Sequence, residues 1–420
     1  MPMLTPEIFY QTAPQQQIFI RWKSGYKSLG LGALIVLALA PLSAQAGSEE
    51  GLIYALKPMT ATKVTIARQG YFPRLDVLPN DELLSVFKMG AGHVGKHGYA
   101  GLSRSSDGGM TWTEPVKIFD LPKADDGVDA HGVLRDGTIL YGAVSYGWEG
   151  ERYSYKNWYA NTYIIRSQDQ GHTWSEPAKV NIAPFTWAYP FGRIIELADG
   201  QLLMTMYGGY LPLSLRGPAA KDKDDVTREM RKLGDQKPEQ QRGDFAFIIK
   251  SKDGGKTWGD LHVIARGFNE TCPVLLPNQR ILVAMRSTEG GAYTATSYSD
   301  DDGNTWSVPV QISSQSEHPA DLLLLKSGEL LLTHGQRNKP YGVQVMVSKD
   351  NGTTWGANRI MLAWDGDHMD LGYPVTVQRK DGKLVTAYYI VYGQKNKVIL
   401  EGPAPEEAYI KGIIWDPVLP

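Results

Sequence analysis

Residues 105–112 read SSDGGMTW, and this stretch is the first of five copies of one pattern, Ser-X-Asp-X-Gly-X-Thr-Trp. The other copies are SQDQGHTW at 167–174, SKDGGKTW at 251–258, SDDDGNTW at 299–306 and SKDNGTTW at 348–355. Asp-X-Gly is typical of turns, because the aspartate side chain bonds nearby backbone N–H groups and glycine accepts a positive φ. Each copy follows a β-type run and ends in a large apolar tryptophan. The pattern therefore predicts a hairpin locked by its own side chains, with structural aspartates.

The spacing of these copies predicts the size of a repeating unit. The intervals from Trp258 to Trp306 and from Trp306 to Trp355 are 48 and 49 residues. Units of about 40–50 residues built from short strands have the size of propeller blades. The intervals before Trp258 are longer, at 62 and 84 residues, and we interpret the excess as insertions.

A second repeat predicts the number of blades. A turn followed by a short apolar run recurs six times, as a hairpin between the first two strands of each blade would produce. The sequence therefore predicts an all-β fold, a six-bladed β-propeller. We expect the apolar strand at 409–415 to close the ring with an N-terminal strand. The six copies lie at 79–84, 135–140, 198–203, 277–282, 326–331 and 380–385.

Composition and repeats together predict one folded domain, residues 47–420. Hydrophobic residues make up 42% and charged residues 21%, and the net charge of −2 gives no sign of nucleic-acid binding. The single cysteine, Cys272, excludes an intrachain disulfide and is no framework for a metal site. The acidic stretch 365–370 has oxygen ligands of the kind calcium uses, but we interpret it as a polar loop. We predict neither a metal nor a cofactor.

The N-terminal segment is typical of an export signal. Basic residues at positions 21, 23 and 27 precede an apolar run at 29–40, and Ala-Gln-Ala at 44–46 offers a small-residue cleavage site. We predict a signal peptide at 1–46 and an exported protein, periplasmic or secreted, with no integral membrane segment after cleavage. An uncleaved anchor is the alternative, although the apolar run is short for a membrane span.

Two further segments depart from the strand pattern. Residues 215–244 are highly charged and lack strand alternation, so we predict a charged surface insertion in the third blade, either a solvated excursion or a lid. An aromatic, glycine-rich stretch with Tyr146, Trp148, Tyr153 and Trp158 follows a strand pair in the second blade. Two interpretations of this stretch stay open, a rim that stacks on sugars and packing between blades.

Ligands of propellers usually lie over one end of the central channel, where the innermost strands converge. We take the innermost strand to be the one before each two-strand turn. An alignment on that turn predicts a ring of polar side chains at the channel mouth. The alternative is a set of structural ion pairs that plugs the channel, because buried charges need partners. The ring consists of Arg74, His131, Arg193, Glu270, Asp321 and Tyr373, with Asp370 beside the last.

The turn pattern resembles the Asp-box of sialidases and related bacterial propellers, the BNR-repeat class. That family binds a substrate carboxylate with three arginines. The first follows the opening strand, and Arg74 in YFPRL lies in the matching place, with the proline displaced. The second lies sixteen residues after a glutamate in an Asn-Glu context, as Arg286 follows Glu270. Arg337 is the candidate for the third.

The same resemblance implies a tyrosine nucleophile on the last blade, and Tyr373 fits that place. A phenol has an unperturbed pKa near 10, so a carboxylate such as Glu270 is needed as its base. A neutral phenol suits an anionic sugar, which would repel a carboxylate nucleophile. Guanidinium groups grip a carboxylate bidentately and stay charged at any working pH.

One departure from the family pattern concerns the proton donor. The family's acid/base aspartate lies between the first arginine and the first box, where this chain has only Asp76 and Asp81, neither well placed. The loop in that segment holds His93, Lys96 and His97 instead. The other candidates, which would enter from the next blade, are Asp126, Asp129 and His131.

Three functions are compatible with these residues. The leading hypothesis is an exported, sialidase-like exo-glycosidase that removes a terminal acidic sugar from a glycan with retention. A polysaccharide lyase on uronate-containing glycans is the second hypothesis, because arginine can neutralise a uronate while tyrosine or histidine abstracts a proton. A non-catalytic carbohydrate-binding propeller is the third, and it would not need a Tyr373–Glu270 pair beside arginines.

Overall fold

Within the described residues, the regular secondary structure of this protein, taken from a computed structural model, consists of β-strands. The structure describes residues 6–10, 18–22, 54–56, 60–154, 157–210, 244–393 and 401–417. The strands are β1 (Pro6–Tyr10), β2 (Ile18–Trp22), β3 (Tyr54–Leu56), β4 (Ala61–Arg68), β5 (Tyr71–Val77), β6 (Leu83–Met89), β7 (Tyr99–Ser105), β8 (Val116–Phe119), β9 (Asp125–Val133), β10 (Ile139–Gly147), β11 (Tyr159–Ser167), β12 (Ala178–Lys179), β13 (Trp187–Glu196), β14 (Leu202–Gly209), β15 (Phe245–Ser251), β16 (Gly259–Arg266), β17 (Phe268–Leu275), β18 (Ile281–Ser287), β19 (Thr294–Ser299), β20 (Val310–Gln311), β21 (Glu317–Leu324), β22 (Leu330–Gln336), β23 (Tyr341–Ser348), β24 (Asn358–Gly366), β25 (Leu371–Gln378), β26 (Leu384–Val391) and β27 (Ala408–Trp415).

These strands form five sheets with a propeller-like arrangement. Three sheets have four strands each, in the orders β5-β6-β7-β8, β17-β18-β19-β20 and β25-β26-β27-β4. An eight-stranded sheet, β12-β11-β10-β9-β13-β14-β15-β16, consists of two antiparallel sets joined where β9 and β13 pair in parallel over two residue pairs. A seven-stranded sheet has the order β1-β2-β3-β24-β23-β22-β21. The all-β prediction is confirmed.

The first strands of the antiparallel sets surround a common axis. β5, β9, β13, β17, β21 and β25 contact one another in that order, and β25 contacts β5 to complete the cycle. The second strands are apolar and buried on both faces, as in β10 and β26, whereas the short last strands β12 and β20 are exposed. Burial of continuous apolar strands between neighbouring sheets therefore forms the core.

The predicted hairpin between the first two strands is present in all six sets. In each set a backbone N–H donates across the turn to a carbonyl oxygen four residues later, over 2.8–2.9 Å. The same bond recurs because each turn sequence begins and ends at the same point relative to the apolar run. The six donors are Leu78, Leu134, Leu197, Leu276, Leu325 and Arg379.

The Asp-X-Gly turns follow the third strand of their sets and are locked by their own side chains. In the first copy, the Ser105 hydroxyl donates to Asp107 Oδ1 over 2.8 Å and accepts from the Gly109 N–H over 2.9 Å. The Thr111 hydroxyl and N–H both donate to Asp107, and these bonds lower its pKa to about 2. Trp112 Nε1 donates to the Gly109 carbonyl over 3.0 Å. The predicted self-locked turn is confirmed.

The strand predicted at 409–415 closes the last sheet. β27 pairs with β26 on one side and with the N-terminal strand β4 on the other, antiparallel in both cases. The register with β4 joins Tyr409 to Arg68 and Trp415 to Ala61. The two ends of the described propeller are thus held in one sheet, as expected.

Two predicted segments lie largely outside the described residues. Of the predicted signal peptide at 1–46, only β1 and β2 are described, as an antiparallel pair. Of the predicted insertion at 215–244, only Asp244 is described. In the described ranges, no helix has the length and apolar character that crossing a membrane requires.

Candidate functional site

β-Bulges in the first strands place side chains at the mouth of the channel. The register shifts between Tyr71 and Arg74 in β5, between Asn269 and Cys272 in β17, and between Gly372 and Val375 in β25. Bulges bend a strand and re-aim its side chains, and they recur beside active sites. At these three bulges the non-glycine residues with positive φ are Phe72 at 52°, Glu270 at 38° and Tyr373 at 48°.

Residues at these bulges line a cavity of about 180 Å³. This volume is below the roughly 300–1,000 Å³ of pockets for drug-sized ligands, which favours a small ligand such as one sugar. The lining includes acidic, basic and aromatic side chains, as a polar, ring-shaped ligand requires. The lining side chains include Phe72, Lys88, His93, Asp126, Asp129, Tyr146, Tyr189, Phe191, Tyr207, Glu270 and Tyr373.

Tyr373 and Glu270 form the central pair of the cavity. The Tyr373 hydroxyl donates to Glu270 Oε1, and Arg286 Nη1 donates to Glu270 Oε2 over 2.9 Å. Burial opposes ionisation of Glu270, but Arg286 and the Tyr373 hydroxyl together lower its pKa. Burial and the charge of Glu270 raise the pKa of Tyr373. At neutral pH the pair is therefore a carboxylate that accepts from a neutral phenol.

A cluster of positive charge lies beside this pair. The Arg337 guanidinium lies 5.6 Å from the centre of the Tyr373 ring, and its Nε donates to the Leu371 carbonyl over 3.1 Å. His318, only 4% exposed, has no hydrogen-bond partner at Nδ1 among the described residues. Burial, and then Arg337 and Arg286, lower the pKa of His318 to about 2. His318 was not among the predicted site residues, although its place at the bulge of β21 is a usable signal.

Arg74 does not line the cavity that contains Glu270 and Tyr373. It is 2% exposed, and its Nε and Nη2 donate to the carbonyl and the carboxylate of Asp129 over 2.7 and 3.0 Å. Its guanidinium lies 4.4 Å from the centre of the Phe191 ring. Arg74 instead lines a second, narrow cavity of about 10 Å³. Phe191 and Tyr373 line both cavities and separate them.

The other polar residues predicted for the ring fill the narrow part of the channel as ion pairs. His131 Nδ1 lies 2.8 Å from Asp76 Oδ1. Arg193 donates to both oxygens of Asp321 over 3.1 and 2.8 Å. Cys272 Sγ lies 3.3 Å from Asp321 Oδ1. These pairs correspond to the alternative in which ionic groups plug the channel.

The structure thus separates the predicted ring into two levels. Glu270 and Tyr373 lie six residues before the residue that opens the turn, whereas Arg74, Arg193 and Asp321 lie four residues before it. The bulges of β5, β17 and β25 lie at the same distance from their turns, so Phe72, and not Arg74, holds the position in β5 that matches Glu270 and Tyr373. The single ring is corrected to a cavity level with Glu270 and Tyr373 and a channel level with the ion pairs.

His93 reaches the cavity from the loop between β6 and β7. Its Nε2 lies 2.8 Å from Asp370 Oδ1, which also accepts from the Tyr389 hydroxyl over 2.8 Å. The imidazole packs edge-on against Tyr71 and Phe72, each with ring centres 5.1 Å away. Asp370, predicted beside Tyr373, therefore acts on the cavity through His93. His97 from the same loop is exposed and does not line the cavity.

Two aspartates of β9 also line the cavity wall. Burial raises the pKa of Asp126 to about 6. Burial also raises the pKa of Asp129, against the opposing charges of Arg74 and Lys88. Lys88 is itself paired with the buried Asp125 over 2.6 Å. The wall therefore carries acidic groups that hold a proton more readily than exposed aspartates do.

Aromatic side chains complete the cavity. Tyr189 and Tyr207 are stacked, with ring centres 5.3 Å apart and planes 8° from parallel. Tyr146 reaches the cavity, but Trp148 and Trp158 from the same stretch are only 6% exposed and pack into a satellite core. The aromatic stretch thus serves mainly as packing, with Tyr146 as its contribution to the cavity wall.

The carboxylates of residues 365–370 are directed to separate partners. Asp365 lies 3.3 Å from Lys63, Asp367 accepts from the Gly393 N–H over 2.8 Å, and Asp370 pairs with His93. Within the described part of the chain, no three His, Cys, Asp or Glu side chains are gathered as metal ligands.

Comparisons with known proteins agree with this fold. The family described as BNR repeat-like domain matches residues 147–386, more than half of the chain. A Bacteroides fragilis sialidase is 26% identical over 309 residues, or 65% of this chain and 51% of that protein, so the match spans about half of its length. A Dyadobacter fermentans protein of unknown function gives a TM-score of 0.64 at 22% identity, over 86% of this chain and 98% of its own. A Hadza microbial sialidase gives 0.59 at 20%, over 83% of this chain and 66% of its own. The chain therefore belongs to the BNR repeat-like family, as a sialidase-like member of that superfamily.

Proposed function

We propose that this protein is a retaining exo-glycosidase that removes a terminal sialic acid, or a similar acidic sugar, from a glycan. The observation that carries the proposal is the hydrogen bond from the Tyr373 hydroxyl to Glu270 at a cavity, with Arg286 on the second carboxylate oxygen. Tyr373 Oη attacks the anomeric carbon while Glu270 takes its proton and the glycosidic C–O bond breaks. Water then cleaves the tyrosyl–sugar bond, and Glu270 returns the proton to the phenol.

Arg286 and Arg337 are the groups that we assign to the substrate carboxylate. The charges of both guanidiniums act on Tyr373. Together with burial, the same two charges lower the pKa of the neighbouring His318 to about 2. A bound carboxylate would draw Arg286 away from Glu270. Glu270 would then become more basic, since it would lose the charge that lowers its pKa. Binding of an anionic sugar therefore activates the base that deprotonates Tyr373.

Arg74 is left out of this assignment. Its guanidinium is committed to Asp129, and the apolar Phe72 occupies the bulge position of β5. The site that we assign to the substrate carboxylate therefore contains two arginines, rather than the three expected from the resemblance. The sialidases of Bacteroides fragilis and of the Hadza microbial sample support the assignment to acidic sugars at the level of the family.

Turnover of an aryl α-sialoside tests the proposal. We expect release of the aryl alcohol by wild type, loss of at least about a hundredfold in kcat for Tyr373→Phe, and initial release of the α-anomer seen by NMR. Tyr298→Phe is the matched control, because Tyr298 is an exposed tyrosine on β19. Absence of turnover by wild type, or equal turnover by Tyr373→Phe, would overturn the proposal.

A second candidate is a polysaccharide lyase acting on uronates. It is favoured by the His93–Asp370 pair, which can serve as a base at the same cavity. Growth of near-ultraviolet absorbance on a uronate polysaccharide, without turnover of the sialoside, would establish the lyase in place of the glycosidase.

We further propose that the propeller has six blades. The support is the closed cycle of β5, β9, β13, β17, β21 and β25, each the first strand of an antiparallel set of four. On this interpretation the eight-stranded sheet is two blades joined at β9 and β13, and β1–β3 extend a fifth blade. A cryo-EM or crystal structure that merges β9 and β13 into one continuous blade would contradict it.

We also propose that the protein is exported, with cleavage after residue 46. The support is the basic, apolar and small-residue pattern at positions 21–46. N-terminal sequencing of protein recovered from the medium or the periplasm tests this. An intact N-terminus on protein confined to the cytoplasm would overturn it.

A further inference from the structure

We propose that His93, oriented by Asp370, donates the proton to the leaving group. This inference rests on the glycosidase function proposed above. It concerns the one step for which the Tyr373–Glu270 pair supplies no group, since both side chains are occupied by the attack on the anomeric carbon.

The loop places His93 at a fixed point of the cavity wall. The His93 carbonyl accepts from Lys88 Nζ over 2.8 Å and from the Tyr146 hydroxyl over 3.0 Å. The neighbouring Gly92 N–H donates to the Gly402 carbonyl over 2.8 Å. A backbone held at three points keeps the imidazole in position, as proton transfer to a bound substrate requires.

The ring orientation leaves one nitrogen for the substrate. Nε2 faces Asp370, so Nδ1 is the atom that can face a ligand. The ring packs edge-on against both Tyr71 and Phe72, and the His93 side chain is 20% exposed. Phe72 in turn contacts Tyr373, with ring centres 4.7 Å apart. His93 and Tyr373 therefore flank the same apolar side chain at the cavity, which is suitable for a donor and a nucleophile that act on one sugar.

Asp370 orients His93 through a direct contact. Burial opposes ionisation of Asp370, but the hydrogen bond and charge of His93 lower the pKa of Asp370. The carboxylate lies 2.8 Å from Nε2 and fixes which ring nitrogen faces it. The other charged or titratable groups on the elements packed around His93 and Asp370 are Tyr71, Lys88, Tyr146, Arg337, His368, Tyr373 and Tyr389.

The proton balance of the reaction closes with this assignment. In the first step the imidazolium Nδ1–H transfers its proton to the glycosidic oxygen as that C–O bond breaks, and the tyrosine proton moves to Glu270. In the second step neutral His93 takes a proton from the attacking water, and Glu270 returns its proton to Tyr373 Oη. The enzyme is then restored with the free sugar and alcohol as products.

Two substrates that differ in leaving group test the proposal. An activated aryl sialoside needs little protonation of its leaving oxygen, whereas a sialyllactose leaves as an alkoxide. We expect His93→Gln to keep turnover of the aryl sialoside within about tenfold and to lose about 10²–10⁴-fold on sialyllactose. His97→Gln, in the same loop and outside the cavity, is the control and should cleave both like wild type.

The possible outcomes separate this inference from the proposed function. Wild type that cleaves neither substrate overturns the glycosidase and this assignment together. Wild type that cleaves both, with His93→Gln losing the two activities equally, overturns the assignment alone. A selective loss in Asp129→Asn, without one in His93→Gln, would place the donor on β9 instead.

Asp370→Asn provides a separate readout of its positioning role. The amide removes the carboxylate that faces Nε2 over 2.8 Å, so kcat/KM on sialyllactose should fall by about tenfold or more. Turnover of the activated aryl sialoside, which needs little protonation of its leaving oxygen, should change less. Equal losses on the two substrates would overturn the positioning role of Asp370.

Discussion

The hydroxyl of Tyr373 donates to the carboxylate of Glu270, although the two residues are 103 positions apart in the chain. Each residue lies at a β-bulge in the first strand of its set, and each has a positive φ, 48° for Tyr373 and 38° for Glu270. Positive φ at such bulky residues is costly and is found where the surrounding structure enforces it, often at functional sites. The pairing is thus a product of two matching distortions in two different sheets.

Replacement of Glu270 by glutamine should reduce kcat on an aryl sialoside by about 10²–10⁴-fold, because an amide cannot accept the tyrosine proton. Arg286 would also lose the charged partner that now lies 2.9 Å away. Steady-state kinetics with the activated substrate measures the effect. Unfolding in urea should be followed in parallel, and a kcat within tenfold of wild type in a folded variant would exclude Glu270 as the base.

Replacement of Arg337 by lysine should raise KM for the sialoside by about tenfold or more and change kcat less. Lysine keeps the charge but loses the planar fork and the Nε–H that bonds the Leu371 carbonyl over 3.1 Å. Isothermal titration with free sialic acid gives an independent affinity. A KM equal to that of wild type would remove Arg337 from the carboxylate site.

The fold was predictable because its determinants are local. Residues 105–112 contain the donors and acceptors of the side-chain bonds that lock their turn, so the pattern can be recognised without tertiary information. The turn at 79–84 likewise forms its own backbone bond between Leu78 and Glu82. Repetition of these self-contained units indicates the repeating architecture, whatever lies between them.

The site was predictable only in part because it depends on register and on distant partners. The turn alignment and the resemblance both predict Glu270 and Tyr373, but Arg74 lies two residues closer to its turn than they do to theirs, and Phe72 holds the matching bulge position. The partner of His93 is Asp370, separated by 277 positions, and no local pattern joins them. These contacts depend on the distances between residues of different sheets, and such distances cannot be read from the spacing of residues along the chain.

Replacement of Gly192 by alanine should lower both stability and activity. Gly192 has a φ of 77°, and a Cβ there would lie 2.7 Å from the Thr271 carbonyl oxygen and from Cys272 Cα, which are backbone atoms beside Glu270. Strain at a non-glycine residue of this kind costs about 1–3 kcal/mol before the clash is added. Urea unfolding and kcat should be measured together.

Gly200→Ala is the matched control for this variant. Gly200 has a φ of 86°, but a Cβ there meets nothing within 4 Å, so the substitution adds backbone strain without a clash. We expect the control to lose some stability and to keep kcat. Equal losses in the two variants would show that the close approach of β13 to β17 does not position Glu270.

His318 should make stability depend on pH in a defined direction. Burial, Arg337 and Arg286 lower its pKa from 6.5 to about 2 in the folded protein. Below pH 6.5 the imidazole binds a proton in the unfolded chain but not in the folded protein. The free energy of unfolding therefore falls as pH decreases from 6.5 towards 2, by up to about 1.4 kcal/mol per pH unit. His318→Asn removes this term, so its unfolding free energy should fall less between about pH 7 and pH 5. Urea unfolding across that range measures the slope of the unfolding free energy against pH, and His172→Asn at an exposed histidine is the control. A slope in His318→Asn equal to that of wild type would mean that His318 is protonated in the folded protein.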